Sequence, residues 1–584
     1  MARELSRQIT RDPVLRSIDH MWNANPFRDI IPIDWAEIAR ALRVVWLRNL
    51  RRPADTFISA TRFNTDLWYS AVETWRQAGQ HWLGSSNSST AEAAPRPTDK
   101  RFTAPEWSSH PIYRSLKETY LLASDWLLQE SEADDLDEDE RQWLTFHLRQ
   151  FVDAMSPSLL LFSNPAAFRR AMETGGASLA HGARNLLNDL QAGRLSLVDT
   201  EAFTPGRNIA LSPGKVVHRN KLIELIQYAP LGDKVRRTPL LILPPWINKY
   251  YILDLQPQNS MVRYLTEQGF TVFMVSWKNP DASMDGTTIE DYMDLGPLEA
   301  SEVVQAITGS PTVNVMGYCI GGTLLAMTLA WLAAKGDNRF GAVTLMVSLQ
   351  DFSRVGDTAV FMGDESLDLI EQQMMERGYL DSREMSNMFN LLRSNDLIWA
   401  NVVNNYLMGE KPPAFDLLYW NSDGTRMCRA AHSWYLRNTY RENNLIVPGG
   451  ITLRDEAIDL GRIQQDIYAV GAERDHIVPW DAAWRITQLA GGKVRYVLAS
   501  SGHIAGIINP PGGKGSYWIP PQEASAALNA EDWRRDAERH DGSWWKDWSA
   551  WLHERSSAMT HPPAMGSLAH PVLEDAPGQY VLEK

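Results

Sequence analysis

The run from Pro311 to Thr323, P-T-V-N-V-M-G-Y-C-I-G-G-T, limits what this chain can fold into more than any other stretch. β-Formers lead into Gly317-Tyr318-Cys319-Ile320-Gly321, and an apolar helical run follows from Gly322 to about Ala334. This order predicts a buried strand, a tight turn and a buried helix, with a thiol at the apex of the turn. Glycines two before and two after the apex leave room for a strained backbone and for close strand–helix packing. The helix N-terminus behind the cysteine favours its thiolate. The segment Thr312–Ala334 is long and mostly apolar, but Asn314 and three glycines interrupt it, and β-branched residues give way to helix formers. It therefore reads as strand plus helix and not as a membrane span.

The pattern G-x-C-x-G is that of the nucleophile elbow of α/β-hydrolases, with cysteine where serine usually stands. The neighbouring sequence agrees. Lys215–Tyr228 reads as paired strands. Leu240–Leu243 and Thr271–Val275 are short apolar runs of the kind buried in parallel sheets, and Met261–Glu267 and Ile289–Ile307 read as helices. Ala342–Val347 follows as another strand. The alternation stops at Gln350-Asp351-Phe352 and resumes with Ile467–Val470, a helix from Trp480 to Leu489 and a strand from Val494 to Leu498. Strands alternating with helices at this spacing predict an α/β class with a doubly wound, mostly parallel sheet. The intervening stretch, rich in Met, Trp, Tyr and Asn, sits where α/β-hydrolases commonly insert a cap. Trp544, Trp545, Trp548 and Trp551 recur on a terminal amphipathic helix expected to pack into the core.

Upstream, Asp34 and Glu37 make a capping-box-like start to a helix. Trp35, Ile38, Leu42, Val45 and Trp46 are expected on its apolar face, with arginines opposite and Pro53 as its end. Such a helix packs on its own protein or touches a lipid or polymer surface. Gly84–Thr98 has the composition of a flexible linker, and a helical pattern runs from Trp107 to about Leu195. The expected division is an N-terminal arm (1–83), a linker (84–105), a helical N-terminal domain (106–208), a catalytic α/β-hydrolase core (209–352 and 456–555), a cap (353–455) and a C-terminal tail (556–584).

A length of 584 residues predicts more than one structural unit. The formal net charge of −14 argues against generic nucleic-acid binding. Two cysteines, Cys319 and Cys428, exclude a disulfide framework and point to a reducing compartment. Met1-Ala2-Arg3-Glu4 is not followed by an apolar signal region, so a cytoplasmic location is expected.

A nucleophilic thiol needs a base and a group to orient that base. In α/β-hydrolase order these follow the nucleophile as acid and then histidine. His503, in Ser500-Ser501-Gly502-His503, lies in the loop after the strand ending at Leu498. Asp475 lies in the loop after Val470, with Asp351 as the second candidate acid. The oxyanion donors are expected to be the backbone N–H of Ile320 and one from the loop after Leu243, Trp246 or Ile247. A thiolate attacking a thioester exchanges one thioester for another, so the acyl group stays activated for transfer to an alcohol. The residues therefore point to acyl transfer from a thioester donor, with water kept out by the cap. A thioesterase or esterase on the same fold remains compatible with them, as does a scaffold with a non-catalytic site.

Pro244–Pro257 (P-P-W-I-N-K-Y-Y-I-L-D-L-Q-P), Val275–Asp281 (V-S-W-K-N-P-D), Gly317–Thr323, Leu392–Trp399, Phe415–Asp423, Asp475–Trp480 and Ser501–Pro511 resemble class I polyhydroxyalkanoate synthases. The resemblance spans about residues 105 to 555 in the right order. It implies an enzyme that polymerises (R)-3-hydroxyacyl-CoA with release of CoA, needs no cofactor beyond the CoA carried by the substrate and no metal, associates with polyester granules and forms a homodimer. It implies Cys319 as covalent nucleophile, His503 as base and Asp475 as its partner, with a second task for Asp475 in deprotonating the incoming 3-hydroxyl. The His-Ile-Ala-Gly form after Gly502 resembles the short-chain class, implying 3-hydroxybutyryl-CoA. Arg393 is the residue singled out for CoA contact. Ile451–Glu456 and Met427-Cys428 depart from the family pattern in the cap.

Overall fold

The computed structural model describes residues 25–82, 99–520 and 529–584. The expected linker lies largely outside these residues, as does the start of the N-terminal arm. The chain divides into two units, one made of Met1–Asp199 with Asn387–Pro413 and the other of Thr200–Ser386 with Ala414–Lys584.

The first unit is helical. Helix α1 (Trp35–Arg51) begins where Asp34 accepts hydrogen bonds from the N–H groups of Ala36 and Glu37; α2 (Pro53–Trp82), α3 (Pro111–Gln129), α4 (Glu138–Ala154) and α5 (Ala177–Ala192) follow. α1 packs through Ala41 and Val45 against Leu144 and Leu148 of α4. Ile33 and Ile38 pack with Ile398 and Trp399 of the stretch that returns to this unit. Trp46 was expected on this apolar face and is instead 60% exposed. Consecutive helical residues point about 100° apart, so Val45 and Trp46 do not share the centre of one stripe. Pro53 does end α1, yet it also opens α2, where a missing N–H costs nothing. Part of the segment expected as cap, Asn387–Pro413, thus belongs with the N-terminal helices.

The second unit is built on an eleven-stranded sheet. In chain order its strands are β1 (Gly214–Arg219), β2 (Ile223–Tyr228), β3 (Leu240–Leu243), β4 (Val272–Trp277), β5 (Val313–Tyr318), β6 (Phe340–Met346), β7 (Ile467–Ala472), β8 (Val494–Ala499), β9 (Ser516–Ile519), β10 (Glu538–Asp541) and β11 (Glu574–Asp575). Across the sheet they run β10-β9-β8-β7-β6-β5-β3-β4-β2-β1-β11. The central strands β4, β3, β5, β6, β7 and β8 are parallel, and antiparallel strands extend both edges. Each of β3, β4 and β5 is buried at every residue, as their mostly apolar sequences require of strands covered on both faces, with Ser276 and Asn314 as the polar exceptions.

This is the α/β-hydrolase fold, and its topology sets the place of the site. β3 lies between β4 and β5, with Leu243 in register with Gly317. The chain steps one way from β3 to β4 and the other way to β5, so a crevice opens beyond their carboxyl ends. Helix α6 (Ile320–Ala334) starts there and is buried along almost its whole length.

Two further expectations need correction. The helix expected over Ile289–Ile307 is broken by a π-helical turn at Asp294–Leu298 containing Pro297, because proline removes a backbone donor and clashes with the turn before it. Residues 556–584 are no free tail. Met559–Thr560 pairs with Val235–Arg236, and β11 pairs with β1. Pro and Gly punctuation marked where this segment turns and hid that it also pairs.

Candidate active site

Cys319 stands between β5 and α6 with φ 52° and ψ −127°, a backbone conformation that non-glycine residues rarely adopt. It is held there by its neighbours. Cys319 N–H donates to Met346 O at 2.9 Å, and Gly322 N–H donates to Cys319 O at 2.8 Å. A Cβ at Gly317 would lie 2.5 Å from Gly322 Cα, and one at Gly321 would lie 2.5 Å from Leu243 O and 2.7 Å from Pro244 O. The glycines of the motif thus let the start of α6 touch both its own strand and the end of β3. Cys319 itself is partly accessible.

His503 and Asp475 meet beside it. His503 Nδ1 lies 2.7 Å from Asp475 Oδ2, with side-chain exposures of 9% and 0%. Asp475 Oδ1 accepts from the N–H groups of Ile477 and Val478, both at 2.9 Å. With Nδ1 engaged, Nε2 is the nitrogen left for Cys319, which lies close enough to perturb the ring. Burial alone would lower the His503 pKa, but Asp475 and Cys319 outweigh it and raise the pKa to about 10. The loop carrying His503 is fixed from beneath by α7 (Trp545–Glu554) and the residue before it. Trp544 and Trp545 donate their indole N–H groups to Gly506 O at 2.9 Å and Ile507 O at 2.8 Å.

Asp351, the second candidate acid, is committed elsewhere. It accepts from Arg485 Nε at 2.9 Å, Asn443 Nδ2 at 3.0 Å and Ser353 N at 2.9 Å. Burial pushes its carboxyl up, and the bonds from Ser353, Asn443 and Arg485 more than reverse that, so it stays ionised to lower pH than an ordinary Asp. The carboxylate neutralises Arg485 where the chain leaves the core after β6.

Ile320 opens α6, so its N–H belongs to the first turn, whose donors have no intrahelical acceptor. The loop after β3 is pinned at several atoms. Trp277 Nε1 donates to Pro244 O at 2.8 Å, Thr425 Oγ1 to Trp246 O at 2.5 Å, and Thr425 N to Ile247 O at 3.0 Å. The Trp246 ring is buried against Tyr292, Trp277 and Tyr435, with centroids 4.8, 5.8 and 6.4 Å away. Arg393 belongs to the first unit, where its guanidinium pairs with Asp396.

Sequence reasoning missed an aromatic cluster whose two tyrosines feel the charge of Cys319. Phe352, Tyr435 and Tyr440 pack edge to face, with centroids 6.0, 4.9 and 5.9 Å apart pairwise. Burial chiefly, and after it the nearby Cys319 and Asp475, raise the Tyr440 phenol well above its ordinary range. Tyr435 closes a short helix that passes into a π-helical turn at Leu436–Arg441, the turn that bears Tyr440. π-Helical turns leave no simple periodic signal in sequence, although they recur at functional sites. Phe352 and Tyr435 are buried, and such an aromatic cluster near a thiol makes a setting in which charge interactions are strong and water is scarce.

Comparison with known proteins places this geometry among relatives. Residues 98–265 match the family described as poly-beta-hydroxybutyrate polymerase (PhaC) N-terminus, and residues 238–510 match the alpha/beta hydrolase fold. The chain is 42% identical over 546 residues to the poly(3-hydroxyalkanoate) polymerase of Methylorubrum extorquens, covering 92% of this chain and 90% of that one. It is 44% identical over 501 residues to the poly(3-hydroxyalkanoate) polymerase subunit PhaC of Cupriavidus necator, covering 85% of each. Poly(3-hydroxyalkanoate) polymerase 2 of Ectopseudomonas oleovorans is 40% identical over 494 residues, covering 84% of this chain and 87% of that one.

Proposed function

The chain belongs to the poly(3-hydroxyalkanoate) polymerase family, and from that premise we propose that it builds polyester from (R)-3-hydroxyacyl-CoA through an acyl intermediate on Cys319. As a member it is an acyltransferase that polymerises hydroxyalkanoates. The observation that carries the residue-level reading is the buried His503–Asp475 pair beside a cysteine held at φ 52°.

In the proposed cycle His503 Nε2 takes the Cys319 proton, and the thiolate attacks the acyl-CoA carbonyl. Charge developing on the carbonyl oxygen is met by the N–H of Ile320 and one from the Trp246–Ile247 loop. The carbon–sulfur bond to CoA breaks, the leaving thiolate takes the proton from His503, and the acyl group remains on Cys319. His503 then removes the proton from the 3-hydroxyl of a second hydroxyacyl-CoA, whose oxygen attacks the Cys319 thioester. An ester bond forms, the bond to Cys319 breaks, and the chain, one unit longer, sits on CoA. The freed thiolate takes it back and releases CoA. One thiol per chain suffices for this cycle. Both carboxylate oxygens of Asp475 are already engaged, with His503 and with two backbone donors, which supports a role in orienting His503 over direct deprotonation of the hydroxyl.

The aromatic cluster of Phe352, Tyr435 and Tyr440 supports transfer to a hydroxyl over loss to water. The His503-Ile504-Ala505-Gly506 sequence supports a short-chain substrate, 3-hydroxybutyryl-CoA. Trp46 and Leu50 of α1 and Phe57, Ile58 and Trp68 of α2 are exposed, which supports association with an apolar polymer surface. A cytoplasmic, granule-associated homodimer completes the reading. The test is incubation with 3-hydroxybutyryl-CoA and, in parallel, 3-hydroxyoctanoyl-CoA, following free thiol and insoluble polymer together. Thiol and polymer rising in step with the shorter substrate are expected. Thiol without polymer would make the protein a thioesterase.

A further inference from the structure

Lys249 is 3% exposed, and burial, its chief perturbation, lowers its pKa. It immediately follows the loop that carries Trp246 and Ile247. An ammonium taken out of water is retained only where fixed acceptors replace its hydration. The acceptors here come from the far end of the chain. Lys249 Nζ donates to Glu583 O at 2.5 Å and to Tyr580 O at 3.4 Å.

That end is itself held in a built socket. The Glu224 carboxylate, fully buried on β2, accepts the N–H groups of Gln579 and Tyr580, each at 3.0 Å. Tyr580 Oη donates to Asn220 O at 2.7 Å, and Lys278 Nζ lies 4.6 Å from the centre of the Tyr580 ring while pairing with Glu583 at 2.6 Å. Arg426 donates to Lys584 O at 2.6 Å, and it directly follows Thr425, the residue bonded to Trp246 O and Ile247 O. On the other side, Trp420 Nε1 donates to Lys249 O at 2.6 Å. The last turn of the chain and the loop after β3 therefore share Lys249 and the Thr425–Arg426 pair as common fasteners.

We propose that Gln579–Lys584 is a strap that fixes the oxyanion loop, and that Lys249 is the positioning residue through which it acts. This rests on the reading of Trp246–Ile247 as a source of the second oxyanion donor. Between β3 and the turn at Tyr250–Leu253 the regular backbone pairing of the loop is a single isolated antiparallel bridge, Asn248 with Gly424. Beyond that bridge its direction is set by donors on Thr425, Trp277 and Trp420 and, through Lys249, by the carbonyls of the strap. A loop freed by a fraction of an ångström still binds substrate but meets the developing oxyanion poorly, so the loss falls on kcat and not on KM.

The experiment uses the full chain, a truncation after Gln579, Lys249→Met in the full-length protein, and the double variant. Single-turnover CoA release, KM and backbone hydrogen exchange are read on each. Either change alone is expected to slow acylation about 10- to 100-fold, up to the lower end of the roughly 10²- to 10³-fold range for outright loss of one oxyanion donor, with KM within about twofold. The double variant should be no slower than the slower single one. Exchange in residues 244–253 should accelerate while that of β5 stays unchanged. Slowing that multiplies in the double variant would overturn the strap, as would unaltered exchange at 244–253 in either variant. Should the truncation fail to fold, Lys249→Met alone decides, because Glu224, Lys278 and Arg426 still hold the strap in it; an unchanged kcat would overturn the proposal. Wild-type protein that forms no acyl group on Cys319 would instead overturn the reading on which the strap depends, and the exchange result would stand apart from it.

Discussion

His503 Nδ1 and Asp475 Oδ2 lie 2.7 Å apart in a pair almost sealed from solvent, with the second Asp475 oxygen bound by two backbone N–H groups. That arrangement fixes one tautomer of the imidazole and turns Nε2 toward Cys319. Asp475→Asn keeps the shape but presents an amide, which removes the charge and can reverse the tautomer. CoA release should fall on the order of 10²-fold or more, with KM little changed, as a steady-state assay with a thiol-reactive dye will measure.

The same pair gives stability a pH dependence. His503 has its pKa raised in the folded protein to about 10, against roughly 6.5 for the unfolded chain. The protonated form is therefore favoured by folding. Its contribution is fully present below about pH 6.5 and is lost as pH rises through about 10. Urea unfolding should show wild-type protein losing stability between those limits more steeply than Asp475→Asn, which lacks the carboxylate that raises the pKa.

Asp351 and Asp475 separate under mutation because the first is a structural anion. Its folded pKa lies below the ordinary value, so its contribution is present above about pH 4 and disappears as pH falls through the folded pKa. Asp351→Asn should raise the urea sensitivity at neutral pH, with its deficit relative to wild type shrinking as pH falls below about 4, and with a smaller effect on kcat than Asp475→Asn. Parallel unfolding and rate measurements on the two variants distinguish them.

Gly321→Ala tests the close approach of α6 to the end of β3. The added Cβ would meet Leu243 O at 2.5 Å and Pro244 O at 2.7 Å, both backbone atoms with little freedom to move. Overpacking of this kind costs about 1–3 kcal/mol, and here it also displaces the oxyanion loop. Acylation should fall by more than the thermal midpoint alone would account for, as single-turnover assays well below that midpoint will show.

Much of the core was legible because its signals are local. Leu240–Leu243, Thr271–Val275 and Ile467–Val470 are apolar runs that only a buried parallel sheet accommodates, and β3, β4 and β7 fall on them. The placement of Cys319 at the elbow and the pairing of Asp475 with His503 were legible from chain order and from position after strands. What escaped was long-range or weakly periodic. Nothing in Glu574-Asp575 announces a strand, because its partner Lys215-Val216 lies over 350 residues away. The edge strand β10, Glu-Arg-His-Asp, carries charged and polar residues that an edge position tolerates and that leave no apolar alternation to read. Tyr435 and Tyr440 read as ordinary aromatics until a π-helical turn brings them together with Phe352. Trp46 was misplaced for the opposite reason, since a helical stripe drawn too wide admits a neighbour that points outward.

The most direct measurement is the mass of the intact protein, and of its elbow peptide, after quenching in acid during turnover of 3-hydroxybutyryl-CoA. An added hydroxybutyryl unit or oligomer mapped to Cys319, absent in Cys319→Ala together with CoA release, is the expected result. Near-normal CoA release by Cys319→Ala, or an acyl group borne by any other residue, would contradict chain growth on this thiol.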